Sequence, residues 1–304
     1  MKIFAVVVTY NRLALLSRLI EKLSDISNIT QIVIVNNGSV DGTREWLDSL
    51  VSNPRFCIIN QDNVGGSGGF YTGMYAAWEM GADYIWCMDD DVFPTPDALN
   101  NLLAADLSSD VGILCPKRVM SDNKEPFVTE CRRIDVTNPI ASLHSQSLKG
   151  EIVLEPVTIE GMVFEGPLIK RALIDAIGFP NKELFIFYDD TDYSYRAVQA
   201  GFKVLYVPDA ILEKERFFAS DSWKDKQLKK RWKRLYHVRN SAYFNHIYGK
   251  NLAVRYFRPF TTLLGYLFST LILIFKRNGA SFADIIALCR AYSDGIKHRL
   301  GKIV

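Results

Sequence analysis

The sequence YIWCMDDD at residues 84–91 joins a short apolar run to three consecutive aspartates. Such a run predicts a strand buried inside a sheet. Adjacent carboxylates repel one another, so three of them at the end of a buried strand are costly unless a cation neutralises them. Asp89 and Asp91 are two residues apart and would point the same way in an extended chain. Because Mg²⁺ and Mn²⁺ prefer oxygen ligands, the stretch predicts that these two side chains share one such ion.

The residues around this run alternate between strand and helix patterns. Buried strands are predicted at residues 3–8, 31–35, 56–59 and 84–88, and helical patterns separate them. Repeated alternation of this kind predicts an α/β architecture, in which helices flank a mostly parallel sheet. Residues 121–154 lack clear periodicity and are interpreted as loops and short strands.

Each predicted strand is followed by a polar cluster. The clusters are Thr9-Tyr10-Asn11, Asn36-Asn37, the glycine-rich residues 63–69, and Asp89 to Asp91. Ligands bind parallel sheets at the carboxyl ends of strands, so four clusters on one edge favour a binding site over an acidic surface turn. Residues 63–69 are predicted to form a flexible loop before a helix, whose N-terminus would suit a phosphate. Asn11 is predicted to cap the first helix.

A second acidic cluster, Asp189-Asp190-Thr191-Asp192, follows an apolar run at residues 184–188. A carboxylate in this cluster could deprotonate a substrate hydroxyl. The cluster could equally stabilise the N-terminus of a helix predicted at residues 193–200. The two roles are compatible, because Asp189 or Asp192 could serve the helix while Asp190 serves the chemistry.

Composition narrows the class of protein. The net charge of the 304 residues is +2, so we expect no nucleic-acid partner. The five cysteines are not spaced as metal ligands, and several lie in apolar runs, which is typical of a reducing, cytoplasmic setting. The first four residues lead directly into a strand pattern, so we expect no signal peptide.

The character of the chain changes after about residue 216. Basic residues crowd one short stretch: Lys224, Lys226, Lys229, Lys230, Arg231, Lys233 and Arg234. Such a block contacts phosphates or anionic lipid, or forms a solvated helix face. The apolar or neutral run Phe260 to Phe275 is shorter than the roughly 20 residues of a membrane span. We favour a helix on the membrane surface, with a packed helix and a true span as alternatives. The predicted domains are therefore a catalytic domain at 1–215 and a helical, membrane-associating region at 216–304.

The ordered motifs resemble those of family 2 glycosyltransferases, which have the GT-A fold. They are Val6 to Arg12, Val35 to Ser39, Asp41-Gly42-Thr43, Asn63 with Gly65-Gly66, Asp89 to Asp91, Gly161 to Gly166, Ile177-Gly178-Phe179 and Phe185 to Asp190. The resemblance covers residues 3–214. It implies an enzyme that uses a nucleotide-sugar donor and inverts the anomeric carbon by direct displacement.

The resemblance also implies roles for individual residues. Thr9, Asn11 and Asn37 would contact the nucleoside, with Tyr10 and Asp90 on the same donor side. Asn63, Gly65 and Gly66 would line the diphosphate and sugar site. Asp89 and Asp91 would hold Mn²⁺ or Mg²⁺, Asp190 would be the catalytic base, and Asp189 would contact acceptor or donor hydroxyls.

Two details bear on the donor and the metal. The sequence of residues 65–70 most resembles that of galactofuranosyltransferases, so UDP-galactofuranose is favoured over the dTDP-rhamnose of related rhamnosyltransferases. Relatives carry a metal-binding histidine where this chain has Glu213. Glu213 is predicted to replace it as a ligand, and the alternative is a weaker or missing third ligand. The later stretch Tyr236 to Asn240 resembles a Tyr-x-x-Arg-Asn segment of the family, with packing or phosphate contact as its expected role.

The predicted function is transfer of a sugar to a lipid-linked or polysaccharide acceptor, in bacterial O-antigen or capsule synthesis at the inner face of the membrane. Two alternatives come from other classes. A degenerate sugar-nucleotide binder is supported only by Glu213. A nucleotidyltransferase also uses paired aspartates with a metal.

Overall fold

The computed structural model of the chain describes residues 1–215, 231–276 and 278–303. These residues form two compact units. The first holds residues 1–134, 146–182 and 190–215, and the second holds 135–145, 183–189 and the described residues after 230. The second unit therefore includes two short segments from within the predicted domain 1–215, and the domain division itself stays a prediction.

Eleven strands are present in the described residues. They are β1 (Ile3–Thr9), β2 (Gln31–Asn36), β3 (Phe56–Asn60), β4 (Tyr84–Asp89), β5 (Val92–Pro94), β6 (Val111–Met120), β7 (Cys131–Ile134), β8 (His144–Ser147), β9 (Val157–Ile159), β10 (Leu168–Lys170) and β11 (Lys203–Lys214). Nine form one sheet in the order β3-β2-β1-β4-β10-β6-β11-β5, with β9 on β11. Strands β7 and β8 form a separate two-stranded sheet.

The N-terminal half of the large sheet is parallel, because helices connect β1, β2, β3 and β4. Strands β6 and β11 are also parallel, whereas β5, β9 and β10 run antiparallel to their neighbours. The β-branched residues of β1 are buried on both faces, as the continuous apolar run predicts. The predicted α/β class is confirmed.

The helices of the first part of the chain are α1 (Leu13–Ser24), α2 (Thr43–Asp48), α3 (Gly65–Glu79), α4 (Ala98–Ala104), α5 (Arg171–Ile177) and α6 (Asp189–Gln199), with a 3₁₀ turn at Lys182–Leu184. The later ones are α7 (Arg231–Tyr248), a π-helical turn (Ala253–Phe257), α8 (Arg258–Phe275) and α9 (Phe282–Ile296).

The glycine-rich residues form helix, so the predicted flexible loop at 63–69 is wrong from Gly65 onward. Close packing of α3 on β1 explains why glycines occupy a helix here. A Cβ on Gly69 would lie 2.5 Å from Cγ1 of Val8, which no real side chain tolerates. The glycines therefore let α3 approach the sheet, and the helix N-terminus lies beside the ends of β1 and β2.

The predicted cap at Asn11 is also wrong, because Arg12 precedes α1 and the amide of Leu13 donates to the carboxylate of Asp41 at 3.0 Å instead. Asn11 has a positive φ of 55° and its side-chain oxygen accepts a hydrogen bond from the amide of Val40. It therefore joins the chain after β1 to the chain after β2.

In the second unit, α7, α8 and α9 pack around a small core of Val238, Leu263, Leu288 and Ala291. Among the described residues, the helical stretch Ala253–Phe275 is long and apolar enough to cross a membrane by length and composition, and 28% of its apolar 18-residue window is buried. Of the basic block, only Arg231, Lys233 and Arg234 fall in the described residues.

Candidate active site

The register of the parallel strands brings the predicted motifs to one edge of the sheet. Val8 of β1 lies beside Asp89 of β4, and Thr9 lies beside Asn36 of β2. The Thr9 hydroxyl donates to Oδ2 of Asp90 at 2.7 Å, inside the buried edge. The sequence analysis gave Asp90 only a general place on the donor side. Its hydrogen bond to Thr9 connects the end of β1 to the end of β4.

The predicted nucleoside and diphosphate residues form a second cluster at this edge. The buried amide of Asn37 donates to the carbonyl of Gly65 at 2.9 Å and accepts from the amide of Val64 at 3.2 Å. Oδ1 of Asn63 accepts from the amide of Gly65 at 3.0 Å. These contacts fix the N-terminus of α3, where a Cβ on Gly66 would meet only open space. Asn37, Asn63, Gly65 and Gly66 thus lie together beside an open surface, and their contact with a donor stays a prediction.

Two cationic side chains lie on the aspartate run. Nη1 of Arg12 donates to Asp90 at 2.9 Å and to Asp91 at 3.2 Å. Nζ of Lys214 is 3.3 Å from Oδ1 of Asp91 and donates to Glu165 at 2.8 Å. Burial, followed by the charges of Asp91 and Glu165, raises the pKa of Asp89 well above its ordinary value.

This charge pattern fits a divalent cation. Carboxyl groups outnumber cations by two here: Asp89, Asp90, Asp91, Glu130 and Glu165 surround Arg12, Arg118 and Lys214. Among residues 1–215, 231–276 and 278–303, no group of three His, Cys, Asp or Glu side chains is arranged to hold a metal. An ion held by Asp89 and Asp91 stays a prediction, and it would need phosphate or water oxygens as its other ligands.

Glu213 does not face this cluster. Its carboxylate pairs with Lys124 at 2.6 Å, whereas the next residue, Lys214, contacts Asp91. Both lie on β11, and successive strand residues point to opposite faces of the sheet. The prediction that Glu213 replaces the family's histidine therefore finds no support in the geometry, because alternation along β11 places a lysine at the aspartates instead.

A buried ionic network continues from Lys214. Glu165 lies between Lys214 and Arg118, and Arg118 also donates to Glu130 at 2.7 Å. Burial alone would raise the pKa of Glu165, but the charges of Arg118 and Lys214 outweigh it and lower that pKa. Arg118 is 1% exposed, so removing either partner would leave a buried charge without compensation.

Asp190 belongs to the same electrostatic cluster. Its Oδ1 accepts a hydrogen bond from the amide of Thr191 at 2.7 Å. Burial raises the pKa of Asp190 to about 6, and the negative charge of Glu165 adds to this effect. A carboxylate with a pKa near 6 is ionised at neutral pH yet basic enough to accept a proton.

The neighbouring acidic residues are placed differently. Asp189 is the first residue of α6, and Asp192 pairs with Arg196 one turn later at 2.9 Å. Asp192 thus pairs within its own helix, and stabilisation of the helix N-terminus by this cluster stays a prediction. Of the other predicted donor residues, Tyr10 is 47% exposed at the sheet edge.

Four residues of this site had no role in the sequence analysis: Arg12, Arg118, Glu165 and Lys214. Strand alternation could have identified Lys214. It is two residues from the buried Leu212 and therefore lies on the same face of β11, whereas Glu213 lies on the opposite face. Arg118 and Glu165 had no such signal, since their partners are far away along the chain.

Comparison with known proteins agrees with this arrangement. The profile of glycosyl transferase family 2 matches residues 4–177. The chain is 28% identical over 202 residues to galactofuranosyltransferase GlfT1 of Mycolicibacterium smegmatis, and the match covers 65% of each chain. It is 24% identical over 217 residues to undecaprenyl-phosphate mannosyltransferase of Micrococcus luteus, covering 71% of this chain and 85% of the relative.

Solved structures give the same fold. The mannosyltransferase PcManGT from Pyrobaculum calidifontis, solved in complex with GDP-Man and Mn²⁺, superposes with a TM-score of 0.55 at 14% identity. The alignment covers 98% of this chain and 88% of that one. The motifs at the sheet edge, the profile match over more than half of the chain and the shared fold lead to one conclusion: the chain belongs to glycosyl transferase family 2.

Proposed function

We propose that the protein is an inverting glycosyltransferase that uses a nucleotide-sugar donor. The observation that carries this proposal is the common electrostatic environment of Asp89 and Asp190. The charge of Glu165 acts on both carboxyls, so a candidate metal ligand and a candidate base lie around one ionic network in the first unit. Sugar transfer requires one site that stabilises the negative charge of the leaving group and a second that accepts the proton of the acceptor hydroxyl.

In the proposed reaction, Asp190 accepts the proton of an acceptor hydroxyl. The hydroxyl oxygen forms a bond to the anomeric carbon from the face opposite the diphosphate. The bond from that carbon to the diphosphate oxygen breaks, and the nucleoside diphosphate leaves with the electron pair. One bond forms as another breaks, so the anomeric configuration inverts.

The chain's own residues would prepare the donor for this step. Asn37 and Asn63 hold the N-terminus of α3, whose amides suit a diphosphate. Asp89 and Asp91 would hold Mn²⁺ or Mg²⁺, which supplies positive charge for the departing diphosphate. Arg12 and Lys214 contribute further positive charge at the aspartates.

For the donor sugar we propose galactofuranose from UDP-galactofuranose. Two observations support this donor: the glycine-rich sequence of residues 65–70 and the sequence identity to GlfT1. A rhamnosyltransferase using dTDP-rhamnose is the second candidate. Transferases with other named sugars are also relatives of this chain, so donor identity requires direct measurement.

For the acceptor we propose a lipid-linked glycan at the cytoplasmic face of the membrane. Exposed apolar side chains recur at helical spacing along one stretch: Phe257, Phe260, Leu264, Phe268 and Phe275. Such a stripe on a helix binds the interface of a bilayer. A cavity of about 400 Å³ nearby in the second unit is lined by Trp232, Leu235 and Leu273 together with Arg231, Arg234 and Asp284, which accepts from Arg231 at 2.8 Å. Apolar walls with arginines suit a lipid that carries phosphate.

The experiment is a transfer assay on the full chain with Mn²⁺, a panel of UDP, dTDP and GDP sugars, and lipid-linked glycan acceptors in vesicles. We expect turnover with UDP-galactofuranose and none after Asp190→Asn, although that variant should still bind donor. Metal-dependent UDP binding without turnover or hydrolysis of any donor would instead indicate a degenerate binder. Release of diphosphate from a nucleoside triphosphate would indicate a nucleotidyltransferase.

A further inference from the structure

The segment just before Asp190 has an unusual backbone. Phe185, Phe187 and Tyr188 have φ values of 67°, 67° and 66°. Bulky side chains rarely adopt this left-handed conformation, because Cβ approaches the backbone too closely. Three such residues within four positions persist only when surrounding contacts enforce the conformation. The question is therefore what holds the backbone that leads into the proposed base.

Asn240 of α7 contacts this backbone at three carbonyls. Its side-chain amide lies 2.9 Å from the carbonyl oxygens of Leu184 and Ile186 and 3.0 Å from that of Phe187. Asn240 is fully buried, and these are the carbonyls around the left-handed residues. One buried side chain thus donates to three carbonyls of the distorted segment, and only that of Leu184 also accepts from an amide in the described segment, that of Ile186.

Arg239 completes the anchor. Its Nη2 donates to the carbonyl of Leu184 at 3.0 Å, and its Nε donates to Oδ1 of Asn240 at 2.8 Å. The second contact fixes which way the Asn240 amide faces, because the oxygen is directed toward the guanidinium and the NH₂ group toward the segment. The preceding turn of α7 adds aromatic contacts, with the Phe185 ring stacked on Tyr236 at 4.8 Å.

We infer that Asn240, oriented by Arg239, is a positioning residue for catalysis. It holds residues 184–188 in the conformation that presents Asp190, the next residue but one. This inference rests on the proposed function of Asp190. It gives a role to the stretch Tyr236 to Asn240, for which packing or phosphate contact was the expectation.

The test is Asn240→Asp in the full chain, because aspartate keeps the shape and the oxygen that accepts from Arg239 but loses the NH₂ donor. The matched control is Asn245→Asp. Asn245 is also a buried amide of α7 that accepts from an arginine, Arg258, but its NH₂ donates to Ser241 of its own helix. Asn240→Ser, a milder change, is measured alongside in case Asn240→Asp does not fold.

Two readouts separate positioning from general stability. We expect Asn240→Asp to lower kcat at least tenfold with donor KM within about twofold, and Asn245→Asp to change neither beyond about twofold. Hydrogen exchange of the peptide covering residues 183–190 should rise in the Asn240 variants only.

Equal kcat in the Asn240 and Asn245 variants, or unchanged exchange of that peptide in both Asn240 variants, would overturn the inference. If the wild-type chain transfers no sugar, the proposed function fails, and the exchange measurement still decides whether Asn240 holds the segment.

Discussion

Replacing Asp190 by asparagine should stabilise the protein while removing its activity. The carboxyl is ionised at neutral pH in a buried place beside Glu165, and burial is the main cause of its raised pKa. Asparagine has nearly the same shape and can still accept the hydrogen bond from the Thr191 amide. It therefore removes the cost of the buried charge and leaves the geometry of the segment in place.

The magnitude follows from the pKa. Each tenfold change in a protonation constant is worth roughly 1.4 kcal/mol, so a rise from 3.8 to about 6 destabilises the ionised folded chain by about 3 kcal/mol. The folded chain binds this proton more tightly than the unfolded chain does. The wild-type protein therefore loses stability as the pH rises from about 4 to about 6, and Asp190→Asn should lack that loss.

The assay is the melting temperature of both proteins between pH 4.5 and 8. At roughly 2 °C per kcal/mol for a chain of this size, Asp190→Asn should melt about 6 °C higher at pH 7.5, with the gap shrinking toward pH 4.5. Asp209→Asn is the control, because it makes the same change at an exposed position. If Asp190→Asn melts at or below the wild-type temperature at pH 7.5, Asp190 does not carry a buried charge and the assignment of the base is wrong.

Four further predictions concern other parts of the account. Lys214→Met should raise the affinity for Mn²⁺ about tenfold, because it removes a cation that competes for Asp91. Lys124→Met, which removes a lysine from Glu213, should leave that affinity unchanged, and electron paramagnetic resonance measures both. Gly69→Ala should destabilise the fold by about 1–3 kcal/mol in urea unfolding, because its Cβ would meet Val8, while Gly66→Ala should be neutral. The kcat/KM of the wild type should fall about tenfold per pH unit below about 6, as Asp190 is protonated. Phe268→Glu should abolish flotation with anionic vesicles without lowering the melting temperature, because this side chain is 68% exposed; unchanged flotation would refute the membrane proposal.

The sequence was sufficient for the parallel half of the sheet and for the edge where the polar clusters meet. Runs such as residues 3–8 and 84–88 are apolar throughout, and strands buried on both faces require that pattern. Because parallel strands bring their carboxyl ends together, the sequence alone assigns Thr9, Asn37 and Asp89 to one edge.

Features decided by packing were predicted less well. Glycine disfavours helices, so residues 65–69 were expected to form a loop, yet these residues begin α3, and its close approach to Val8 favours glycine at position 69. Glu213 was predicted as a metal ligand because it occupies the position of the family's histidine. The alternation of side chains along β11 instead directs Lys214 toward Asp91. The left-handed residues after Leu184 gave no sequence signal, because the contacts that enforce them come from Asn240.

The central claim is that Asp89 and Asp91 form the metal-assisted donor site of a glycosyltransferase. Its most direct test is calorimetric titration of the full chain with UDP, with and without Mn²⁺, in the wild type, in Asp91→Asn and in the exposed control Asp209→Asn. The account predicts saturable UDP binding that requires Mn²⁺, is weakened at least tenfold by Asp91→Asn and is unchanged in the control. The account would be contradicted if UDP bound equally well without Mn²⁺ and in Asp91→Asn. It would also be contradicted if none of UDP, dTDP and GDP bound at all.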